Sequence, residues 1–419
     1  VLELGQIKKS VADWQLAYQK WTAQLIPRNP DLKLPSKNAL ALTGVRRGGK
    51  SYTAFEVAAR SKKRVLYFNF EDPLFLTDPQ VKYLDEIVGA YLEIYGNDPE
   101  LIIWDEIHNI KGWEKWVRKA VDTGKHRLII TGSSSEMLSS EISTSIAGRC
   151  LEERIWPLSF EEYLQFKHGG RPKESKLPHE FSNYLQWGGF PEIVLIEDPE
   201  DKKKYLRQYA SDIVLKDVAS RHKVRETRYL DQLVVYYFTN LSSLHSYSSI
   251  KKAFGIPTDT SASYTTFLQE AFLVFEVKRF HPNLKVQSRD PKKIYVIDTG
   301  LRNVLSHSHR EDVGKLAENV VCLHLMRLEK AFCYYKNQQE VDFVVTLHGK
   351  PQEAIQVSYS DMLDSNTRER EVEGLMECLQ ETNLQQGLIL TKNREAKETL
   401  SGKTIQYRPL HQWLLEKSG

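Results

Sequence analysis

The sequence is short of everything that would fasten a chain from outside its own core. Its four cysteines, Cys150, Cys322, Cys333 and Cys378, stand far apart with no CxxC pair. That excludes a zinc ribbon and a secreted disulfide scaffold, and leaves buried thiols in a reducing compartment. Long apolar runs are missing too. The stretches 101–104 and 128–130 are strand-length, against the roughly 20 residues that a membrane-spanning helix needs. The first residues carry Lys8, Lys9 and Asp13 among scattered apolar positions, without the continuous apolar stretch of a signal peptide. No membrane partner is expected, the cytoplasm is the expected location, and Val1 points to a missing native start. Charge of one sign is scarce as well: the net value is only +3, so any nucleic-acid surface has to come from local clustering.

What is present is a globular composition, and 419 residues suit two or three domains rather than one. Residues 1–36 read as an amphipathic helical lead-in that ends at Pro27, Pro30 and Pro35. From 37 to 160, short apolar strands near 39–43, 65–70, 101–104 and 128–131 alternate with helix-length stretches. That order implies crossovers and a parallel sheet, an α/β fold. Residues 161–202 read as a helical lid or linker. Residues 203–305 read as helices followed by a hairpin, and 312–419 as a closing α/β segment.

The octet Gly44-Val45-Arg46-Arg47-Gly48-Gly49-Lys50-Ser51 fits GxxxxGK[ST] directly after an apolar strand and before a helix-forming stretch opened by Tyr52. This is the P-loop pattern, in which backbone amides of Gly44, Gly48 and Gly49 approach phosphates at a helix N-terminus. Lys50 supplies a mobile charge and Ser51 ligates Mg²⁺. Arg46 and Arg47 are candidate phosphate contacts, with a solvated role as the alternative. The strand at 101–104 runs into Asp105 and Glu106. Asp105 is expected in the Mg²⁺ shell, and Glu106 is expected to polarise the attacking water, which marks hydrolysis of ATP over mere binding. Thr131, Ser133 or Ser134, after the next strand, could lie beside the γ-phosphate; a plain Ser-rich turn remains the alternative. Arg149 is a candidate arginine finger, supplied in cis or by a neighbouring subunit of a homo-oligomer, with a surface salt bridge equally open.

Together with Asn69-Phe70-Glu71-Asp72 and Trp187-Gly188-Gly189-Phe190-Pro191-Glu192, these residues resemble a family of archaeal and bacterial AAA+-like (ASCE-like) P-loop ATPases. The resemblance covers nearly the whole chain. It implies an ATPase core, then a winged-helix domain, then a restriction-endonuclease-like domain of the PD-(D/E)XK kind. On the winged-helix expectation, residues 248–254 form a first short helix and 258–272 a recognition helix. Thr260, Ser261, Ser263 and Thr265 then face a groove of duplex DNA, and residues 283–290 form the wing. Lys and Arg clustered over 202–228 and 251–293 would bind phosphates. The alternative is a module that docks on protein, with its cations solvated.

A PD-(D/E)XK site needs an Asp at one strand end and an acid-x-Lys on the next. Asp342, in Glu340-Val341-Asp342-Phe343, fits the first place, and Glu318 could add a third carboxylate. The next strand reads Ala354-Ile355-Gln356-Val357-Ser358, so Gln356 replaces the acid and Ser358 the Lys. Little or no cleavage is expected unless a migrated lysine such as Lys336 or Lys350 restores the site. Three functions stay open: a DNA-associated Mg²⁺-dependent ATPase, a nucleotide-gated switch acting on protein partners, and an ATP-dependent nuclease.

Overall fold

The computed structural model describes residues 2–28, 31–132, 146–306, 312–360 and 365–416, and the chain divides into two compact units. The first comprises Val1–Trp156 with Glu270–Phe272. Its sheet has five parallel strands: β1 (Ala39–Thr43), β2 (Val65–Asn69), β3 (Leu101–Asp105), β4 (Arg127–Gly132) and β5 (Cys150–Arg154). They lie in the order β2-β3-β4-β1-β5. Alternation along the strands explains why both faces are covered. Leu66, Phe68, Ile102, Trp104, Leu128 and Ile130 pack on one face with Ile7, Val11 and Phe75. Leu40, Leu42, Tyr67, Leu101, Ile103 and Ile129 pack on the other with Phe55 and Ala58. Strands apolar on both faces are what a parallel sheet between helices demands.

The helix Leu4–Thr22 is more than a lead-in. Ile7 and Val11 are buried in the core, and Gln15 Nε2 donates to the Tyr67 carbonyl at 3.1 Å. Because β2 is an edge strand, that bond caps a carbonyl the ladder leaves open, one of the ways a sheet edge is protected. Trp14 Nε1 and Ser10 Oγ also donate to Asp72 Oδ2, at 2.9 and 2.5 Å.

The second unit comprises Pro157–Gln269 and Leu273–Gly419. It opens with the helices Phe160–His168, Leu177–Trp187 and Pro199–Asp212. A three-stranded sheet follows, ordered β6 (Leu244–His245), β8 (Lys292–Val296), β7 (Val274–Val277). The six-stranded C-terminal sheet runs β13-β14-β12-β11-β10-β9, from β9 (Ala331–Lys336), β10 (Glu340–Leu347), β11 (Lys350–Ser358), β12 (Gln386–Thr391), β13 (Ala396–Leu400) and β14 (Lys403–Pro409).

The turn Gly188-Gly189 is built against Asp298. The Gly189 amide donates to Asp298 Oδ2 at 2.7 Å, and the Leu301 amide to Oδ1 at 3.0 Å, so this carboxyl caps the helix Thr299–Leu305 while holding the turn. A Cβ on Gly189 would meet the Leu158 carbonyl oxygen at 2.3 Å.

Several expectations about residues 248–290 are corrected. The short helix spans Tyr247–Phe254 and the next one Thr258–Glu270. On the latter, Ser261 and Thr265 are fully buried and face no groove. Thr265 Oγ1 bonds the Tyr237 hydroxyl at 2.6 Å and the Ser261 carbonyl, so packing against the helix Thr227–Thr239 overrides their polar character. Thr260 is half-buried and Ser263 exposed. Between β7 and β8 the expected wing is the helix Leu284–Arg289, capped by Asn283 Oδ1 accepting from the Lys285 amide. The basic clusters are also less free than their sequence suggests. Lys203, Lys204 and Lys216 pair with Glu200, Asp201 and Asp212, and Arg279 and Lys292 pair with Asp290 and Glu276.

Candidate functional site

The strand order of the first unit places β4 between β1 and β3, so the segments after all three strands open on one sheet end. That is where ligands sit in open α/β sheets. After β1 the chain turns through Gly44 at φ +137° and enters the helix Lys50–Ser61 from Gly49 at φ +100°. A Cβ on Gly44 would lie 2.1 Å from the Ile155 carbonyl oxygen, so no other residue fits there. Gly48 is buried in the same loop, its amide donating to the Val45 carbonyl at 3.1 Å.

Lys50 is 5% exposed. Its Nζ donates to the carbonyls of Gly44 and Val45, each at 3.2 Å, and lies 3.8 Å from Glu106 Oε1. Ser51 Oγ donates to Asp105 Oδ2 at 2.8 Å, and the same oxygen accepts from the Tyr67 hydroxyl at 2.9 Å and Asn69 Nδ2 at 3.3 Å. Thr131 joins the two acids: its hydroxyl donates to Asp105 Oδ1 and accepts the Glu106 amide at 3.0 Å. Burial, and then the neighbouring Glu106, push the Asp105 carboxyl up, while the bonds from Thr131, Ser51 and Tyr67 pull it back. A cation beside this carboxylate offsets the same desolvation. Ser51 Oγ and Asp105 Oδ2 are hard oxygen donors held side by side, which suits a Mg²⁺ that takes few protein ligands and keeps its waters.

Glu106 sits in the left-handed region at φ +52°. For a non-glycine residue that conformation costs energy and must be held by its surroundings. Here the Thr131 hydroxyl accepts from its amide, and the His108 ring stands beside its carboxylate, with Nδ1 3.4 Å from Glu106 Oε2.

The other expected site residues that are described have partners of their own. Arg46 pairs with Glu71 at 2.6 Å. Arg47 is exposed at φ +67°. Tyr52 is half exposed, its ring 5.7 Å from Phe55. Arg149 makes a two-pronged contact with Asp122, Nε to Oδ1 at 2.8 Å and Nη2 to Oδ2 at 3.2 Å, the surface ion pair that was its alternative. Ser133 and Ser134 lie outside the described residues.

Sequence reasoning missed Tyr67 and His108 as partners of the acids, and it missed Arg28. Arg28 Nη1 donates to the Gly48 carbonyl at 2.7 Å and Nη2 to the Trp156 carbonyl at 2.6 Å, while its amide donates to Glu56 Oε2. Tyr67 was findable only from the pairing of β2 with β3, in which Asn69 stands opposite Asp105.

In the second unit, β10 and β11 pair antiparallel with Phe343 opposite Ile355. Asp342 and Gln356 therefore lie together, the Asp342 amide donating to Gln356 Oε1 at 3.1 Å. The lysine that reaches Asp342 is neither Lys336 nor Lys350. Lys336 Nζ is 3.4 Å from Glu340 Oε2, and Lys350 is exposed at the far end of the hairpin. It is Lys293, from β8.

An AAA domain matches residues 36–164. Two domains of unknown function, DUF8612 and DUF4143, match residues 178–312 and 313–413. The chain is 33% identical to the uncharacterized protein MJ1544 of Methanocaldococcus jannaschii over 94% of its length and 92% of that protein's. It is 28% identical to an uncharacterized protein of Haemophilus influenzae, covering 78% of this chain and 84% of that one. Among solved structures, the Thermotoga maritima RuvB Holliday junction branch migration motor is similar at 13% identity and a TM-score of 0.28, over 65% of this chain and 89% of that one. AMPPCP-bound DnaA from Aquifex aeolicus is similar at 12% identity and a TM-score of 0.26, over 62% and 85%.

Proposed function

Since the chain belongs to the same family as the uncharacterized protein MJ1544 and carries an AAA-type ATPase domain, we propose that it binds ATP with Mg²⁺ and hydrolyses it at Lys50, Ser51, Asp105 and Glu106. The observation that carries this reading is the Thr131 hydroxyl, which bonds both the Asp105 carboxylate and the Glu106 amide. It makes two acids of different task one rigid unit. In this reading the loop amides and Lys50 bind the β- and γ-phosphates, and Ser51 and Asp105 hold Mg²⁺, which supplies charge neutralisation on the phosphoryl oxygens. Glu106 orients the attacking water and accepts its proton. The 3.8 Å contact between Lys50 and Glu106 gives way as Lys50 turns to phosphate, so nucleotide binding itself frees the base.

The decisive measurement is Mg²⁺-dependent phosphate release with wild type, Lys50→Ala and Glu106→Gln. Glu106→Gln is expected to keep nucleotide affinity and lose turnover by about 10²–10⁴-fold, and Lys50→Ala to lose affinity. Wild-type turnover no greater than that of Glu106→Gln ends the hydrolytic reading.

Contact with duplex DNA is the finer part of the proposal. Its support is the set of exposed cations Arg207, Lys223, Arg225, Arg228, Lys251 and Lys252. Duplex phosphates, rather than base edges, are the partner that such a set suits. Arg149 enters the proposal only in a homo-oligomer, where it would leave Asp122 for a neighbour's nucleotide.

A further inference from the structure

Lys293 is 1% exposed, a burial that an ammonium tolerates only when its charge and its donors are answered. All three donors are answered by carboxylates. Nζ lies 3.0 Å from Glu318 Oε1, 2.7 Å from Glu340 Oε1 and 2.8 Å from Asp342 Oδ1. The acids come from separate places, Glu318 from the helix Val313–Arg327 and the other two from β10. Each acid has a further partner. Asp342 Oδ2 accepts the Val357 amide at 2.9 Å, Glu318 Oε1 accepts the Tyr295 hydroxyl at 2.7 Å, and Glu340 Oε2 faces Lys336.

A nuclease-type Mg²⁺ site would need these same carboxylates, Glu318 and Asp342 first. The residues do not fit that ion. It would have to share the Asp342 and Glu318 carboxylates with an ammonium already within hydrogen-bond distance of both, so two like charges would stand close together in a buried place. The neighbouring strand offers the neutral Gln356 where a further acid would be wanted, and its amide nitrogen donates to Glu371. Among the described residues no group of His, Cys, Asp or Glu is arranged to hold a metal ion.

We propose that Lys293 is the built-in cation of the Glu318–Glu340–Asp342 cluster: it takes the position of a divalent metal and excludes one, making the cluster a metal-independent tie between β8, β10 and the helix Val313–Arg327. The cluster is thus neither a dormant Mg²⁺ site nor a site rescued by a migrated catalytic lysine. A catalytic lysine stands beside a metal, whereas Lys293 stands in its place.

The test is Mn²⁺ binding to the nucleotide-free full chain, followed by electron paramagnetic resonance and by thermal shift. Wild type and Asp342→Asn are expected to bind Mn²⁺ equally weakly, because the ammonium already holds the carboxylates. Lys293→Gln leaves the acids without their cation and is expected to bind Mn²⁺ about tenfold more tightly than wild type, with a matching rise in Tm on adding metal. A folded Lys293→Gln chain that gains no Mn²⁺ affinity overturns the proposal. If that variant does not fold, wild type still decides: a wild-type Mn²⁺ site that Asp342→Asn removes overturns it, and equal binding supports it. Plasmid DNA with Mg²⁺ or Mn²⁺ and ATP should stay uncut. Cutting that Asp342→Ala abolishes would mean that metal and Lys293 share the site, against the proposal.

Discussion

Thr131 is a single hydroxyl with two partners, and its value lies in having both a proton to give and a lone pair to offer. Thr131→Val keeps the shape and removes both bonds, leaving the Glu106 amide without its acceptor. Turnover is expected to fall roughly 10- to 100-fold with nucleotide affinity nearly unchanged, and Thr131→Ser should restore most of it. A Thr131→Val enzyme as fast as wild type would show that the link has no catalytic part. Asp298 makes a different kind of prediction. Burial pushes its carboxyl up to about 6, against the amide bonds from Gly189, Leu301 and Gly300. The unfolded value is about 3.9, so the folded chain holds this proton more tightly than the unfolded one. Its contribution to stability therefore declines as pH rises from about 4 to about 6 and is level above that. In urea unfolding, wild-type stability minus that of Asp298→Asn should shrink across this interval. A difference that grows with pH would mean that the folded site prefers the ionised form.

At the scale of elements, the turn between Leu177–Trp187 and Pro191–Leu195 carries a steric demand that one methyl reads. Gly189→Ala puts a methyl 2.3 Å from a backbone oxygen of Leu158, whose own amide is tied to the Gly189 carbonyl at 2.6 Å. Neither side can yield cheaply, so a loss of about 2–4 kcal/mol in chemical denaturation is expected. A loss under about 0.5 kcal/mol, the range of an ordinary surface change, would contradict this clash. The elements also differ in how far the sequence disclosed them. The strands β1 to β4 and the loop from Gly44 to Ser51 were legible because each is written in a contiguous run: apolar residues on both faces, then glycines, then Lys50 and Ser51. The strand β5, Cys150-Leu151-Glu152-Glu153-Arg154 at the sheet edge, was not, because its charged residues leave it no apolar run. Nor were Ser261 and Thr265, since a hydroxyl on a helix reads the same whether it faces water or the interior. The helix Leu284–Arg289 was missed for a related reason. It is six residues long, too short for an apolar period to stand out, and its flanking strands pair as a hairpin would.

On the scale of the whole molecule, charge is the property that sequence reading judged least well. The net charge of +3 decided nothing, and the Lys and Arg clustered over 202–228 and 251–293 were read as a phosphate-binding surface, yet Lys293 is in the interior and several neighbours are paired at the surface. The remaining exposed cations form a smaller set, and DNA affinity is expected to fall with salt in proportion to the few phosphates they neutralise. A gel-shift titration from about 50 to 200 mM salt reads this directly. Lys251→Glu with Lys252→Glu should lower affinity at the low end and flatten the slope. Failure of wild type to bind duplex at any salt would instead favour a switch that acts on protein partners. Among the described residues no helix is long and apolar enough to cross a membrane. The ion pairs of Lys293 have one more consequence, for inheritance. They join residues on either side of position 312, where one domain of unknown function ends and the next begins. Recombination at that seam with a lineage that lacks the matching charges would give one offspring a buried ammonium and the other a knot of buried carboxylates. With such a lineage, the two stretches can be exchanged only as a pair.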